Sequence, residues 1–201
     1  MPKKVDHHSR RTAIAQSVWQ LMARSGTEAV TMRNVAAHAG MSLGQLQHYF
    51  ATKDALLTFA YELITERAAN RVSNRDDPVS DESPTPRDVI RNALIEMLPL
   101  DEERTLDAHV WIAFLARASA ADEVTSLVGK TQGDLLDLIV DQLRRGQRDG
   151  AVPVHLDPER EARTLLAVLD GLTLHALIGL LHSPADAEQA LDTHLDGLFS
   201  E

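Results

Sequence analysis

An all-α fold of about nine helices follows from three features of this 201-residue chain. No stretch holds the sustained period-two alternation of β-branched and aromatic residues that marks a half-buried strand. Apolar residues recur instead three and four positions apart, the spacing that lines one face of a helix. Start and stop residues punctuate this pattern: Thr31, Ser42, Thr52 and Pro184 suit helix starts, and Gly26 and Gly40 suit helix ends.

The first helix is expected at about 6–25, with Ile14, Val18, Leu21 and Met22 on one stripe and Gly26 as its stop. The second opens at Thr31 and ends before Gly40. A third opens at Ser42 and ends near Tyr49 or Phe50. The fourth opens at Thr52 and carries Leu56, Leu57, Ala60, Leu63 and Ile64 on one face. A loop is expected around 73–86, which is polar, holds Pro78, Pro84 and Pro86, and has Val79 as its one bulky apolar residue. Five further helices are expected at 87–98, 101–118, 122–149, 157–182 and 184–199. Acidic residues open several of them, which suits the positive end of the helix dipole.

Composition narrows the function. The chain is 44% hydrophobic and 25% charged, as in ordinary globular proteins. It has no cysteine, which removes disulfides, thiolate metal sites and cysteine nucleophiles. No apolar run reaches the roughly 18 residues of a membrane helix. The lysines at positions 3 and 4 have no apolar run behind them, so no signal peptide and a cytoplasmic location are expected. No phosphate-binding loop, nucleophile elbow or His-Glu-x-x-His motif occurs, so no catalytic residue, no cofactor and no enzyme activity are expected. His7-His8 is the one histidine pair, a weak metal signal, and no metal site is expected. The net charge is −10, but it is unevenly spread. Residues 1–75 carry 10 Lys and Arg against 5 Asp and Glu, whereas the rest carry 10 against 25. Only the first segment suits phosphate.

That segment contains a helix-turn-helix pattern at 31–50. Val35, Ala36 and Ala39 are small or branched, so two helices can cross closely. Gly40 supplies the positive φ of the tight turn, Met41 plugs it, and Ser42 caps the next helix. Leu46 and Phe50 lie four apart and anchor the third helix inward. Gly44, Gln45 and His48 then point outward, with Gln47 and Tyr49 on the flanks. This face is polar and uncharged, which suits base edges, since glutamine pairs bidentately with adenine. Gly44 costs about 1 kcal/mol of helix propensity against alanine, a cost that close backbone approach to DNA would explain. Thr31, Arg33, Tyr49 and Lys53 are the phosphate candidates. Lys3, Lys4, Arg10 and Arg11 read equally as a basic arm or a solvated tail.

The pattern Thr31-x-Arg33-x-Val35-Ala36, then Ala39-Gly40-Met41-Ser42-x-Gly44-x-Leu46-x-x-Tyr49-Phe50-x-x-Lys53-x-x-Leu56-Leu57, resembles the DNA-binding domain of the TetR family over about residues 8–60. The resemblance implies a helix-turn-helix domain at 1–53 and a helical domain at 54–201 that dimerises and binds a small effector. It implies that Leu43, Gly44, Gln45 and Gln47 lie near the bases and His48, Tyr49 and Lys53 near phosphates, and Ser42 is counted with them among the DNA-binding residues. Two departures stand out: Gln47 replaces the family's usual aromatic residue, and Leu43 falls on the inward side of the helical wheel. Repression of a two-fold symmetric operator, relieved by the effector, is the implied function. The rival is an architectural DNA-binding protein without effector, which the acidic second half disfavours.

In the 157–182 helix, Ala162, Leu165, Leu166, Leu169, Leu172, Ala176 and Leu180 make one stripe, and Val168, Leu174, Leu177, Ile178 and Leu181 cover much of the remainder. A helix apolar on nearly all sides is buried on both, against its own domain and against a partner subunit. Leu169, Leu172, Thr173, Leu177, Leu191, Leu195 and Leu198 are thus the candidate dimer interface, the other reading being a monomer core. The run at 109–116 resembles the BetI-type branch of the family. Met97, His109, Trp111, Phe114, Leu115 and His175 are the candidate effector pocket, and they read equally as plain core.

Overall fold

The computed structural model describes residues 7–74, 83–118 and 122–199. These form nine α-helices: α1 His7–Ser25, α2 Met32–His38, α3 Leu43–Tyr49, α4 Lys53–Ser73, α5 Pro86–Ile95, α6 Glu102–Ala118, α7 Asp122–Asp149, α8 Pro158–Leu177 and α9 Pro184–Leu198. No strand occurs among the described residues. Lys3, Lys4 and most of the expected 73–86 loop lie outside them.

Local chemistry sets the starts. The side chains of Thr31, Ser42 and Thr52 accept from the backbone N–H three residues on, capping α2, α3 and α4. Pro86, Pro158 and Pro184 sit in first turns, where a missing N–H breaks no helical bond. Three details differ from the sequence expectation. A 3-10 turn, Thr27–Ala29, stands between α1 and α2. α5 stops at Ile95 rather than 98, because Leu98 precedes Pro99 and is pushed out of helical geometry. α8 stops at Leu177 rather than 182. Gly179 takes φ 74, and the Leu180 N–H closes back on the His175 carbonyl at 2.9 Å, a left-handed C-cap inside an unbroken apolar run.

Two apolar cores result. The first joins α1–α4 to α6 through Ile14, Val18, Val35, Leu46, Phe50, Leu56, Tyr61, Trp111 and Phe114, and takes Val128 from α7. The second packs α5, α7, α8 and α9 through Ile90, Leu94, Ile139, Leu143, Leu165, Leu169, Leu191 and Leu195. The helix-turn-helix therefore shares a core with α6, a helix far along the chain. Arginines fasten the rest. Arg87 and Arg91 of α5 hold Asp192 of α9, and the Arg91 hydrogen bond keeps the Asp192 carboxyl below the usual carboxylate range. Arg67 and Arg71 of α4 hold Asp107 of α6.

One glycine is fixed by packing. A Cβ on Gly146 would stand 2.6 Å from Val152 Cγ2 and 3.3 Å from Phe199 Cε1. The chain folds back there because the Ala151 and Val152 N–H groups both donate to the Gly146 carbonyl, at 2.8 and 3.1 Å. Gly146→Ala is expected to destabilise the protein by about 1–3 kcal/mol, the usual cost of overpacking. Urea denaturation checks this, and an unchanged midpoint would show that Val152 yields freely.

Candidate nucleic-acid interface

The α2–turn–α3 unit is built almost entirely from local bonds. Thr31 Oγ1 accepts from the Asn34 N–H, and Asn34 Nδ2 donates to the Ala29 carbonyl at 2.8 Å, which fixes the entry to α2. Gly40 adopts φ 65, and the Met41 N–H returns to the Ala36 carbonyl at 2.9 Å. Leu46 and Phe50 are buried against the first core, so the opposite face of α3 must point outward.

That face holds most of the sequence-predicted residues together. Gly44, Gln45, Gln47 and His48 are exposed, and Leu43 and Tyr49 are half-buried at its edges. α3 carries no Asp, Glu, Lys or Arg. Thr31 and Arg33 are exposed at the start of α2, and Lys53 lies half-buried in the first turn of α4. Gln45 does more than the sequence indicated. Its Oε1 accepts from the Ser42 N–H at 2.8 Å while Ser42 Oγ accepts from the Gln45 N–H at 3.2 Å, a reciprocal capping box. In this seating only Nε2 remains for a base, as a donor. The hydroxyls of Thr31 and Ser42, though used as acceptors in caps, each keep an O–H to donate.

The N-terminal half of α1 adds residues that sequence reasoning undervalued. The His7 ring stands 5.0 Å from Tyr49 and 6.4 Å from His48, so His7 belongs to the edge of the reading face, whereas the His8 ring faces Phe59 at 6.2 Å. Arg10 lines a depression with Gly40, Ser42, Gly44, Gln45, His48 and Tyr49. Arg11, which the sequence leaves as part of a basic arm or of a solvated tail, is instead half-buried, with its guanidinium over the rings of Phe50 at 4.8 Å and Phe59 at 4.1 Å. Those rings come from α3–α4 and pull the charge inward.

The candidate effector residues are divided. Trp111 and Phe114 are buried in the first core with Leu115 packed against it. Met97 packs against the second core. His109 is half-buried and donates from Nδ1 to the Thr105 carbonyl of its own helix at 2.8 Å, whereas His175 is exposed and lines no interior. The candidate dimer residues are divided too. Leu169, Thr173, Leu191, Leu195 and Leu198 are buried within the subunit and have almost no surface left for a partner. Leu172 and Leu177 are half-buried. The apolar surface left open at this end is Leu174, Ile178 and Leu180, at 41%, 60% and 62% exposure, because the α8 stop turns the latter two out of the helix. No helix among the described residues is long and apolar enough to cross a membrane.

Comparison with known proteins matches this geometry to a family. Residues 17–60 match the family described as bacterial regulatory proteins, tetR family, and residues 86–200 match the BetI-type transcriptional repressor C-terminal family. The HTH-type transcriptional regulator PksA of Bacillus subtilis (strain 168) is 35% identical over 186 residues, covering 89% of this chain and 83% of the relative. A crystal structure of a transcriptional regulator from Rhodococcus sp. Rha1 superposes with TM-score 0.79 at 30% identity, covering 94% of this chain and 95% of that one. A regulator from Saccharomonospora viridis, crystallised in complex with choline, shares the fold with TM-score 0.85 at 20% identity, covering 96% of this chain and all of that one.

Proposed function

The chain belongs to the TetR family of transcriptional regulators with a BetI-type C-terminal half, and from that premise we propose that it represses transcription in the cytoplasm by binding a two-fold symmetric operator as a homodimer, until a small molecule releases it. The observation that carries the reading is α3: a helix pinned by Leu46 and Phe50 whose whole outward face is polar, uncharged and exposed. Such a face discriminates between bases but supplies little attraction. Attraction falls to Arg10, Arg33 and Lys53 around it, with His7, His48 and Tyr49 at the edge. Gln45, with Oε1 held in the cap, donates one hydrogen bond from Nε2, which fits the major-groove acceptors of guanine or thymine. A bidentate pair with adenine would require it to leave the cap.

The dimer is proposed at the open end of α8 around Leu174, Ile178 and Leu180. A small-molecule effector is supported by the BetI-type match and by the choline bound to the Saccharomonospora viridis neighbour. The effector would act through α6, which shares the first core with the reading head, so that a shift of α6 reaches α1 and α4 and changes the separation of two recognition helices. Selection of bound DNA from a random library tests the whole reading. A symmetric site with half-sites about 34–36 Å apart is the expected outcome, and sequence-independent binding would overturn it. Lys53→Ala is expected to weaken binding to all sequences alike and to lower the slope of log affinity against log salt by about one. Loss confined to one operator position would remove Lys53 from the phosphate contacts.

A further inference from the structure

We propose that His7 is an operator contact, and that His7 and His48 enter the complex as imidazolium, each facing backbone phosphate, so that the protein takes up protons when it binds DNA. The inference rests on the regulator reading above and adds a contact residue on α1 and the charge state of the bound surface.

The recognition helix has no fixed charge. α3 carries no Asp, Glu, Lys or Arg, so it can become positive only through His48 in its last turn. His7 opens α1 and brings a second imidazole to the same place. Its ring centre stands 6.4 Å from that of His48 and 5.0 Å from that of Tyr49, and the His48 and Tyr49 rings are 5.6 Å apart. Both histidines are exposed, and Tyr49 is half-buried between the two helices. The three rings form a platform where the start of α1 meets the end of α3.

The charged groups around this platform are mostly cations. Arg10, one turn along α1, lines the same depression as His48 and Tyr49. α2 presents the exposed Arg33 and His38, and the first turn of α4 presents Lys53 and Asp54. His8 and Arg11 turn away, toward Phe59 and Phe50. The other acids of the head are Glu28 in the 3-10 turn, Glu62 and Glu66 further along α4, and Asp6, which precedes His7 in the chain. Among the described residues no carboxylate is paired with His7 or His48. Two imidazoles and a guanidinium thus converge where an anion is missing, and backbone phosphate is the anion that a reading head meets at the rim of the groove.

Histidine is the side chain whose charge ordinarily changes between pH 5 and 8. A phosphate beside an imidazole favours its charged form, so operator and proton each strengthen the binding of the other. Arg10, Arg33 and Lys53 attract DNA at any of these pH values, and the histidines add a part that grows as pH falls.

The test uses the full chain and its selected operator in phosphate-free buffers at constant ionic strength. Fluorescence anisotropy should show binding about 10-fold or more tighter at pH 6 than at pH 8, which corresponds to an average uptake of about half a proton or more per complex. Calorimetry in buffers of different ionisation heat should record the same uptake, and the slope of log affinity against log salt should be steeper at pH 6. His7→Gln with His48→Gln puts neutral side chains at two exposed positions, so the chain should fold and lose the pH dependence, and His7→Gln alone should lose part of it. His7→Lys is charged throughout this range. It should bind about 3-fold or more tighter than the parent at pH 8 and respond less to pH, a gain that a merely structural role for the ring would not produce. His8→Gln should respond to pH as the parent does. Asp107 and Asp170, whose carboxyls burial pushes up, are intact in every variant, so their titration cancels in the comparison. The inference is overturned if selective binding does not vary with pH, if the double variant keeps the parent's dependence, or if His48→Gln alone removes all of it. Each of those results leaves the regulator standing. Absence of sequence-selective binding at every pH ends the regulator reading, and this inference with it.

Discussion

With Leu174 and Ile178 both replaced by arginine, the subunit folds, sediments as a monomer, and binds a symmetric operator at least about 100-fold more weakly than the parent chain. The substitutions touch surface only. Leu174 and Ile178 are 41% and 60% exposed, so neither core loses volume and thermal stability at low protein concentration should hardly change. Across a two-fold axis each arginine would face its own copy, and like charges replace apolar contact at the centre of the patch. The loss in affinity comes from linkage. Two readers joined in one particle turn the second half-site contact into an intramolecular step, an advantage on the order of 100- to 10,000-fold that a monomer lacks. Single half-site DNA supplies the control, because the variant should bind it as the parent's individual reader does. Sedimentation at several concentrations together with fluorescence anisotropy on both DNAs checks the result. A monomeric variant that holds the full operator as tightly as the parent would overturn the dimer.

What the sequence disclosed follows the range of the interactions involved. The caps at Thr31, Ser42 and Thr52 were legible because cap and partner lie three residues apart. The outward face of α3 was legible because Leu46 and Phe50 repeat within one turn. Gly179 was not, since it stands inside an apolar run whose periodicity continues to 182, and only the left-handed φ reveals the stop. Apolar periodicity also could not separate the leucines that the subunit itself buries, Leu169, Leu191 and Leu195, from those left open, because the pattern is the same for both. The packing of Arg11 was not legible as either arm or tail for a related reason: the rings that draw its guanidinium inward belong to Phe50 and Phe59, far along the chain. The arginine–carboxylate cluster between α4 and α6 went unmarked, although a signal was present. Arg67 and Arg71 lie four apart on one helix, and Glu103 and Asp107 lie four apart on another, two matching ladders of opposite charge.

That cluster yields the largest expected loss of stability. Arg71→Ala should destabilise the protein by about 3 kcal/mol, the lower end of the range for breaking a buried ion pair, because the Arg71 side chain is 22% exposed and partly screened. Arg71 Nε donates to Glu96 Oε2 at 3.1 Å, Nη1 to Asp107 Oδ2 at 3.0 Å and Nη2 to the Glu96 carbonyl at 3.2 Å. Glu96 and Asp107 are each 8% exposed, so water cannot replace the lost donors. Arg67 remains for Asp107 at 3.1 Å, whereas Arg104 stands farther from Glu96, at 3.5 Å. The sign with pH is set by Asp107. Burial already pushes its carboxyl up despite both guanidiniums, and removing one of them pushes it further. A carboxyl raised in the folded state opposes folding as pH rises through the interval between its unfolded and folded values, and ceases to do so below both. The deficit of Arg71→Ala should therefore be largest at neutral pH and narrow as the solution is acidified, and adding Asp107→Asn should recover part of it at pH 7. Urea denaturation at neutral and mildly acidic pH measures both effects. A deficit below about 1 kcal/mol that does not vary with pH would mean that the two ladders are solvated surface charges, and that α4 is held to α6 by the aromatic contacts of Tyr61 with Trp111 and Phe114 instead.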